Sequence, residues 1–370
     1  MTDLTIERIE AIPYAIPYTK PLRFASGEVR TADHVLVRVH TSGGLMGQAE
    51  APPRPYTYGE TQTSIVAVVD QIFAPALIGT SILDREQHRA SLQRTIGNPT
   101  AKAALDMAIW DLIGQSLGQP VHRLLGGYTD SMRVSHMLGF DDPQTMVDEA
   151  ARMIDEHGIT VFKVKVGREP YQLDVEVVRA LREAYGEKIE LYVDGNRGWS
   201  ASDSARALAE MADLGLTLAE ELNPADDVLS RRWLVQQCPV PFVADESATT
   251  AAEVTREILG GSATAVSVKT ARTGFSESQR VLHLAEGLGV EVVMGNQIDA
   301  QVGTLCSVVF GAAHRASSRR AGELSNFLDM SDDLLAEPLT ITDGRLAVPT
   351  DPGLGLQVDE DKLTRYRQDA

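Results

Sequence analysis

Five ionisable residues stand near the ends of five successive strand-like segments: Lys165 in VFKVKVG, Asp194 in LYVDGN, Glu220 in LAEEL, Asp245 in FVADES and Lys269 in AVSVKT. The steps between them are 29 residues (165 to 194), 26 (194 to 220), 25 (220 to 245) and 24 (245 to 269). Each step is about the length of a strand, a helix and two loops. That is the repeat of a parallel α/β barrel, where every strand ends at one rim and residues at strand C-termini read as catalytic. Three carboxylates flanked by two lysines at one rim describe a metal site between two proton carriers. The all-oxygen donor set Asp194, Glu220 and Asp245 suits Mg²⁺ and not zinc, which prefers nitrogen and sulfur. The glutamate has an alternative: Leu216 and Leu218 share the phase of Glu220, so if those leucines pack outward, Glu221 is the inward residue. Spacing favours Glu220 and leaves Glu221 in reserve.

Strand alternation puts Lys163 and Lys165 on one face and Phe162, Val164 and Val166 on the other. The apolar trio is expected against helices and the two ammonium groups inside the barrel. A neighbouring cation and partial desolvation both lower a lysine pKa from about 10.4, toward a value at which it exchanges protons. Lys163 is therefore read as the tuner and Lys165 as the acid/base. Lys269 shares its face with Ser267 and falls roughly across the barrel mouth, where a cation stabilises developing negative charge or serves as a second acid/base. Alternatively it forms a structural ion pair with Asp245 or Glu220. Glu323 in AGELSNF ends the eighth strand, either orienting Lys269 or occupying the rim. Of the eight histidines only His136 falls near the proposed rim, and without a paired aspartate it reads as a core or rim residue.

These residues need a scaffold, and 370 residues with 43% hydrophobic content suit one barrel of roughly 250 residues plus a smaller domain. The expected division is an α+β capping domain over 1–127, a barrel over 128–325, and a segment over 326–370 that returns to the capping domain. The first part shows strand-like IERIEAIPYAI, HVLVRVHT and LMGQAEA, then helical patterns at about 59–76, 84–95 and 100–117. Eight strand candidates follow from Met132 onward, the last being AGELSNF. A formal charge of −18 and the lack of a basic stretch argue against nucleic acid as a partner. No apolar run approaches the ~20 residues of a membrane span, and the first residues, MTDLTIERIEAIPY, do not read as a leader, so a cytoplasmic location is expected. Cys238 and Cys306 lack CxxC spacing and read as core thiols. No GxGxxG, P-loop, GxSxG or HExxH pattern occurs, which disfavours dinucleotide binding, phosphoryl transfer, serine hydrolysis and zinc proteolysis. Proton transfer beside a metal-held carboxylate is the chemistry that is left.

The KxK pair Lys163 and Lys165, the carboxylates Asp194, Glu220 and Asp245, and Lys269 at this spacing resemble the enolase superfamily, in its muconate lactonizing subgroup, over nearly the whole chain. The resemblance implies a modified TIM barrel of (β/α)7β type under an N-terminal α+β cap completed by the C-terminal segment. It also implies Mg²⁺, with Mn²⁺ as a substitute, a small dicarboxylate substrate, and a homo-oligomer, an octamer among the options. In this superfamily a lysine or histidine base works with Mg²⁺ on an ene-diolate. The family's glutamate is the first of its pair, which again favours Glu220. Dipeptide epimerases of the subgroup carry Asp-x-Asp at the eighth strand, where this chain reads Gly322-Glu323-Leu324. The segments YTKPLRFASGEV, EAPPRPYTYGET, DGNRGWS, NPADDVLS and GELSNFLDMSDD look most like a divergent, anti-type actinobacterial family of muconate cycloisomerases. The implied reaction converts cis,cis-muconate to muconolactone through a Mg-stabilised enolate in aromatic (catechol, β-ketoadipate) degradation, with Lys165 protonating the α-carbon. Arg54, Tyr56, Ser26 and Arg23 are cap-loop candidates for the distal carboxylate, and Asn196, Asn296 and Glu323 are further substrate contacts. The rival on the same site is N-acylamino acid racemisation or o-succinylbenzoate synthesis.

Overall fold

A computed structural model describes residues 4–24, 27–238 and 240–369. Three antiparallel strands, β1 (Ile6–Phe24), β2 (Gly27–Thr41) and β3 (Met46–Ala51), form the first sheet. Against it lies the helix Pro99–Leu117, buried over most of its length and drawn close because residue 47 is glycine: a Cβ there would sit 2.0 Å from the Ala108 carbonyl oxygen. The helical pattern expected at 59–76 resolves into Gln62–Val68, a π-turn at Val69–Phe73 and Ala74–Leu77.

Eight parallel strands follow: β4 (Ser131–Leu138), β5 (Val161–Lys165), β6 (Glu190–Asp194), β7 (Leu216–Glu220), β8 (Phe242–Ala244), β9 (Ala265–Val268), β10 (Glu291–Met294) and β11 (Gly322–Glu323). They are hydrogen-bonded in the order β10-β9-β8-β7-β6-β5-β4-β11, and the two ends, β10 and β11, lie side by side. The barrel is nearly closed. Helices between the strands begin on side-chain caps, with Asp142 taking the Gln144 and Thr145 amides, Ser200 that of Asp203, and Thr250 forming a capping box with Glu253. These three helices therefore start at a set place after their strands, whereas those beginning at Gln172, Thr270 and Gln301 have no side-chain cap.

The barrel interior is layered. Val161, Tyr192, Leu218, Val243, Ala265, Val293 and Ala321 form an apolar plug of their own. Two residues further up β5 comes Lys163, 1% exposed, and two further Lys165 at the rim. Phe162, Val164 and Val166 point the other way, into the cluster that holds Val175, Val178 and Leu181 of the helix Gln172–Tyr185, as alternation requires.

The C-terminal part does two things. Residues 330–335 and 358–368 return to the cap: Tyr18 bridges to Met330 and Tyr14 to Arg367, while Arg38 pairs with Glu360 at 2.6 Å. Between them β12 (Arg345–Ala347) pairs antiparallel with the start of β4, under the barrel and not in the cap. The segment expected to return to the cap thus also supplies a strand to the barrel's underside. TDGRL makes this possible because Asp343 and Gly344 both adopt positive φ in the tight turn that leads into β12.

Candidate active site

Parallel register places the ends of β5, β6 and β7 level. Lys165 is the Cα partner of Asp194, and Asp194 that of Glu220. Asp245 follows β8 directly and Lys269 follows β9. All five side chains converge at one rim and are buried, from 0% exposed for Asp194 and Asp245 to 8% for Lys269.

Their contacts divide the charges into two groups. On one side Lys163 Nζ donates to Glu220 Oε1 (3.1 Å) and Glu323 Oε2 (2.8 Å) and lies 2.8 Å from Asp194 Oδ2. Lys165 Nζ donates to the same Asp194 Oδ2 (2.6 Å) and to Asn196 Oδ1 (2.8 Å). On the other side Lys269 Nζ donates to Asp245 Oδ2 (2.5 Å), and Arg272 Nη1 donates to Asp245 Oδ1 (2.6 Å). Room for the Lys269 stem comes from Gly295, where a Cβ would lie 2.8 Å from Lys269 Cε.

The charges shift one another. Burial alone would lower Lys163, but Asp194, Glu220 and Glu323 hold it well above the ordinary lysine value. It is a permanent cation, raised where a neighbouring lysine alone would have lowered it. Burial works against the Asp194 carboxylate, yet Lys163 and Lys165 hold it well below the usual range; Lys269 and Arg272 do the same for Asp245. Glu220 is pushed up, by burial first and then by Asp194 and Asp245, against the pull of Lys163.

Glu220 and Glu221 are sorted by the backbone. β7 ends at Glu220, and Glu221 takes φ 37°, which breaks the strand alternation and turns its side chain behind the rim. There Glu221 accepts from Arg231, from Ser247 Oγ (2.9 Å) and from the Asp245 amide (2.7 Å). It braces the loop that carries Asp245, and Glu220 is the glutamate that faces the site.

A cavity of about 40 Å³ opens beside these groups, lined by Lys165, Asn196, Glu246, Lys269, Asn296 and Glu323 from the barrel and by Arg54, Thr57 and Tyr58 from the cap loop. Of the cap candidates Arg54 lines it. Tyr56 does not: it is 79% exposed, and Tyr58, two residues on, takes its place and accepts a hydrogen bond from Arg272 Nη1 at 2.6 Å. Ser26 lies outside the described residues, as does the side chain of Arg23. His136 is buried away from the cavity, between Ser325 Oγ (2.9 Å) and Glu149 (3.1 Å). Cys306 is buried and Cys238 partly so, both unpaired.

Besides Tyr58, three groups of the site escaped the sequence reading. Arg272 lies one helical turn after Lys269, Glu246 directly follows Asp245, and Ile298 lines the cavity at φ 60°, an unusual conformation for a β-branched residue. Asn196 (φ 40°), Arg197 (φ 68°) and Glu221 share that strain at the same rim. Such strain gathers at functional sites, but no residue pattern announces it beforehand.

The donor set fits a divalent cation: Asp194, Glu220 and Asp245 are all oxygen, buried and adjacent. Among the described residues no three acidic or imidazole side chains converge in ready ligand geometry, because each of these carboxylates is turned onto a lysine or arginine.

Comparison with known proteins agrees with this arrangement. Residues 8–126 match the mandelate racemase / muconate lactonizing enzyme N-terminal domain, and residues 145–362 the enolase C-terminal domain-like family. A muconate lactonizing enzyme from M. smegmatis, solved in complex with muconolactone, superposes with a TM-score of 0.98 at 67% identity, covering 99% of this chain and 100% of that one. Muconate cycloisomerase 1 of Pseudomonas putida is 32% identical over 99% of both chains, and an L-Ala-D/L-Glu epimerase of Bacillus subtilis 30% identical over 95% of this chain and 97% of its own. With both family domains matched along the chain and near-full-length relatives at 30% identity or more, the chain belongs to the enolase superfamily, in its muconate lactonizing subgroup, and is an isomerase of that group.

Proposed function

We propose that the protein is a muconate cycloisomerase of the divergent actinobacterial type, converting cis,cis-muconate to muconolactone. The observation that carries this reading is the 67% identity, over nearly the full length, to the enzyme solved with muconolactone. Two features of the site support it over the epimerase reading: Gly322-Glu323-Leu324 ends the eighth strand, and the only acidic residue in that triplet is held by Lys163.

Asp194, Glu220 and Asp245 would hold Mg²⁺, which when bound supplies positive charge against one substrate carboxylate. The other carboxylate adds through oxygen to the carbon β to the first, and the displaced π pair moves toward that first carboxylate. Lys269 stands on the β9 side and lowers the energy of this charge. Lys165, on the β5 side, gives its proton to the α-carbon and recovers one from solvent, so the reaction consumes one proton overall. Arg54 and Tyr58 contribute cap-side donors to the adding carboxylate.

The test is loss of the diene absorbance of cis,cis-muconate in the presence of Mg²⁺. No loss with the wild type rejects the assignment, and an active Lys165→Ala variant rejects the proposed acid. Reaction in D₂O, with the deuterium located in the product, distinguishes syn from anti addition. The N-acylamino acid racemase reading instead requires exchange of the α-proton of an N-acylamino acid.

A further inference from the structure

We propose that Glu246 is a positioning residue for Lys165, acting through the side-chain amide of Asn196. This rests on the reading of Lys165 as the proton carrier. Asn196 stands between the two: its Nδ2 donates to Glu246 Oε1 at 3.2 Å, and its Oδ1 accepts from Lys165 Nζ at 2.8 Å. The direction of this chain follows from donor and acceptor capacity. An ammonium only donates, so the face of the amide toward Lys165 must be oxygen. The opposite face is then NH₂ and needs an acceptor, which a carboxylate provides without also being able to donate. Glu246 thereby excludes the flipped amide, in which NH₂ would meet the ammonium.

Two further observations set Glu246 apart from a brace of the fold. Its Oε2 is buried and has no partner among the described residues, and Arg197 Nε lies 3.8 Å from the other oxygen, Oε1. The neighbouring Glu221, which does brace the loop, is by contrast saturated by Arg231, Ser247 and two backbone amides. In addition, Asn196 and Arg197 are both held at positive φ, and Asn196 N is anchored to Asp194 Oδ1 at 2.9 Å. That turn keeps the amide within reach of Lys165 and Glu246 together.

The proposal predicts a polarity swap. In Glu246→Gln the side chain can offer NH₂ to Asn196, the amide is free to turn, and Lys165 loses its Asn196 acceptor and is left with Asp194 alone. We expect kcat for muconate to fall ~10- to 100-fold with KM little changed, the size of effect that follows a misplaced reacting group. In the double variant Glu246→Gln/Asn196→Asp the charge moves to position 196. The introduced glutamine then donates, and the introduced aspartate again presents oxygen to Lys165, so most of the lost kcat should return. Lys165 itself gives an independent readout: its side-chain ¹⁵N resonance should move in the single variant and return in the double. An unchanged kcat and resonance in Glu246→Gln overturn the proposal, as does a double variant no better than the single. If the wild type does not turn over muconate, the cycloisomerase reading fails, while the Lys165 resonance still reports the relay. Should Glu246→Gln not fold, Glu246→Asp, one methylene short of Asn196, is expected to show the same loss.

Discussion

Tyr58 of the cap and Arg272 of the barrel meet at 2.6 Å, and the guanidinium also sits 5.8 Å from the centre of the tyrosine ring. The same Nη1 holds Asp245. One side chain therefore links the loop that covers the cavity to a carboxylate of the rim. The cap loop that carries Arg54, Thr57 and Tyr58 is thus fastened to the barrel at the wall of the cavity.

Tyr58→Phe removes the acceptor for Arg272 and leaves the ring in place. Hydrogen bonds to charged groups contribute about 1.5–3 kcal/mol, so KM for muconate should rise about 10-fold or more, with kcat changed far less. Steady-state kinetics checks this. Equal falls in kcat and kcat/KM would instead place Tyr58 in the chemical step.

Lys163→Met leaves Asp194, Glu220 and Glu323 buried without their shared cation. Breaking a buried ion pair on one side costs about 3–5 kcal/mol, and the urea midpoint should fall accordingly. Mg²⁺ should restore part of that loss by binding the folded state. A variant as stable as wild type would show that the three carboxylates do not depend on this lysine.

Glu220→Gln and Glu221→Gln should separate cleanly. The first should abolish turnover and preserve the melting temperature, because it leaves no cation without a partner beyond Lys163, which retains Asp194 and Glu323. The second should unfold more easily, by about 3 kcal/mol, because Arg231 is 0% exposed and loses its closest partner. Paired thermal melts and activity measurements decide it; the opposite pattern would reverse the roles read from the geometry.

Acid should expose a clasp between the cap and the barrel. Glu149 is buried, which would raise it, but His136 and Lys20 lower it to about 2 from 4.5. A depressed carboxylate contributes stability that is complete above its unfolded value and is lost as pH falls through its folded value. The window here runs from about 4.5 down to about 2, and the contribution is about 3 kcal/mol, discounted for the half-exposed Lys20. Glu149→Gln should therefore show a shallower loss of stability across that window than wild type in chemical denaturation. Parallel curves would exclude the clasp.

Much of the rim was legible because strands impose a period. Lys163, Lys165, Asp194, Asp245 and Lys269 lie where alternation and spacing place them, and the structure brings them together. Glu220 and Glu221 remained ambiguous because both the register slip beside Leu216–Ala219 and the positive φ of Glu221 break that period. Cap loops have no period at all, which is why Tyr56 stood in for Tyr58. Arg272 and Glu246 were hidden for another reason: each lies beside a residue already recognised, on a turn whose direction depends on contacts with other strands. The tail was legible as turns and short strands, but only three-dimensional packing sends β12 beneath the barrel.

The Tyr14–Arg367 and Tyr18–Met330 bridges tie the first strand to residues more than 300 positions later. On a ribosome, β1 is therefore made long before the residues that complete its packing, and the rim lysines and carboxylates are synthesised in between. The cap is thus the part of the molecule whose two halves lie furthest apart in the chain, its first strand made at the start and its packing partners Met330 and Arg367 at the end.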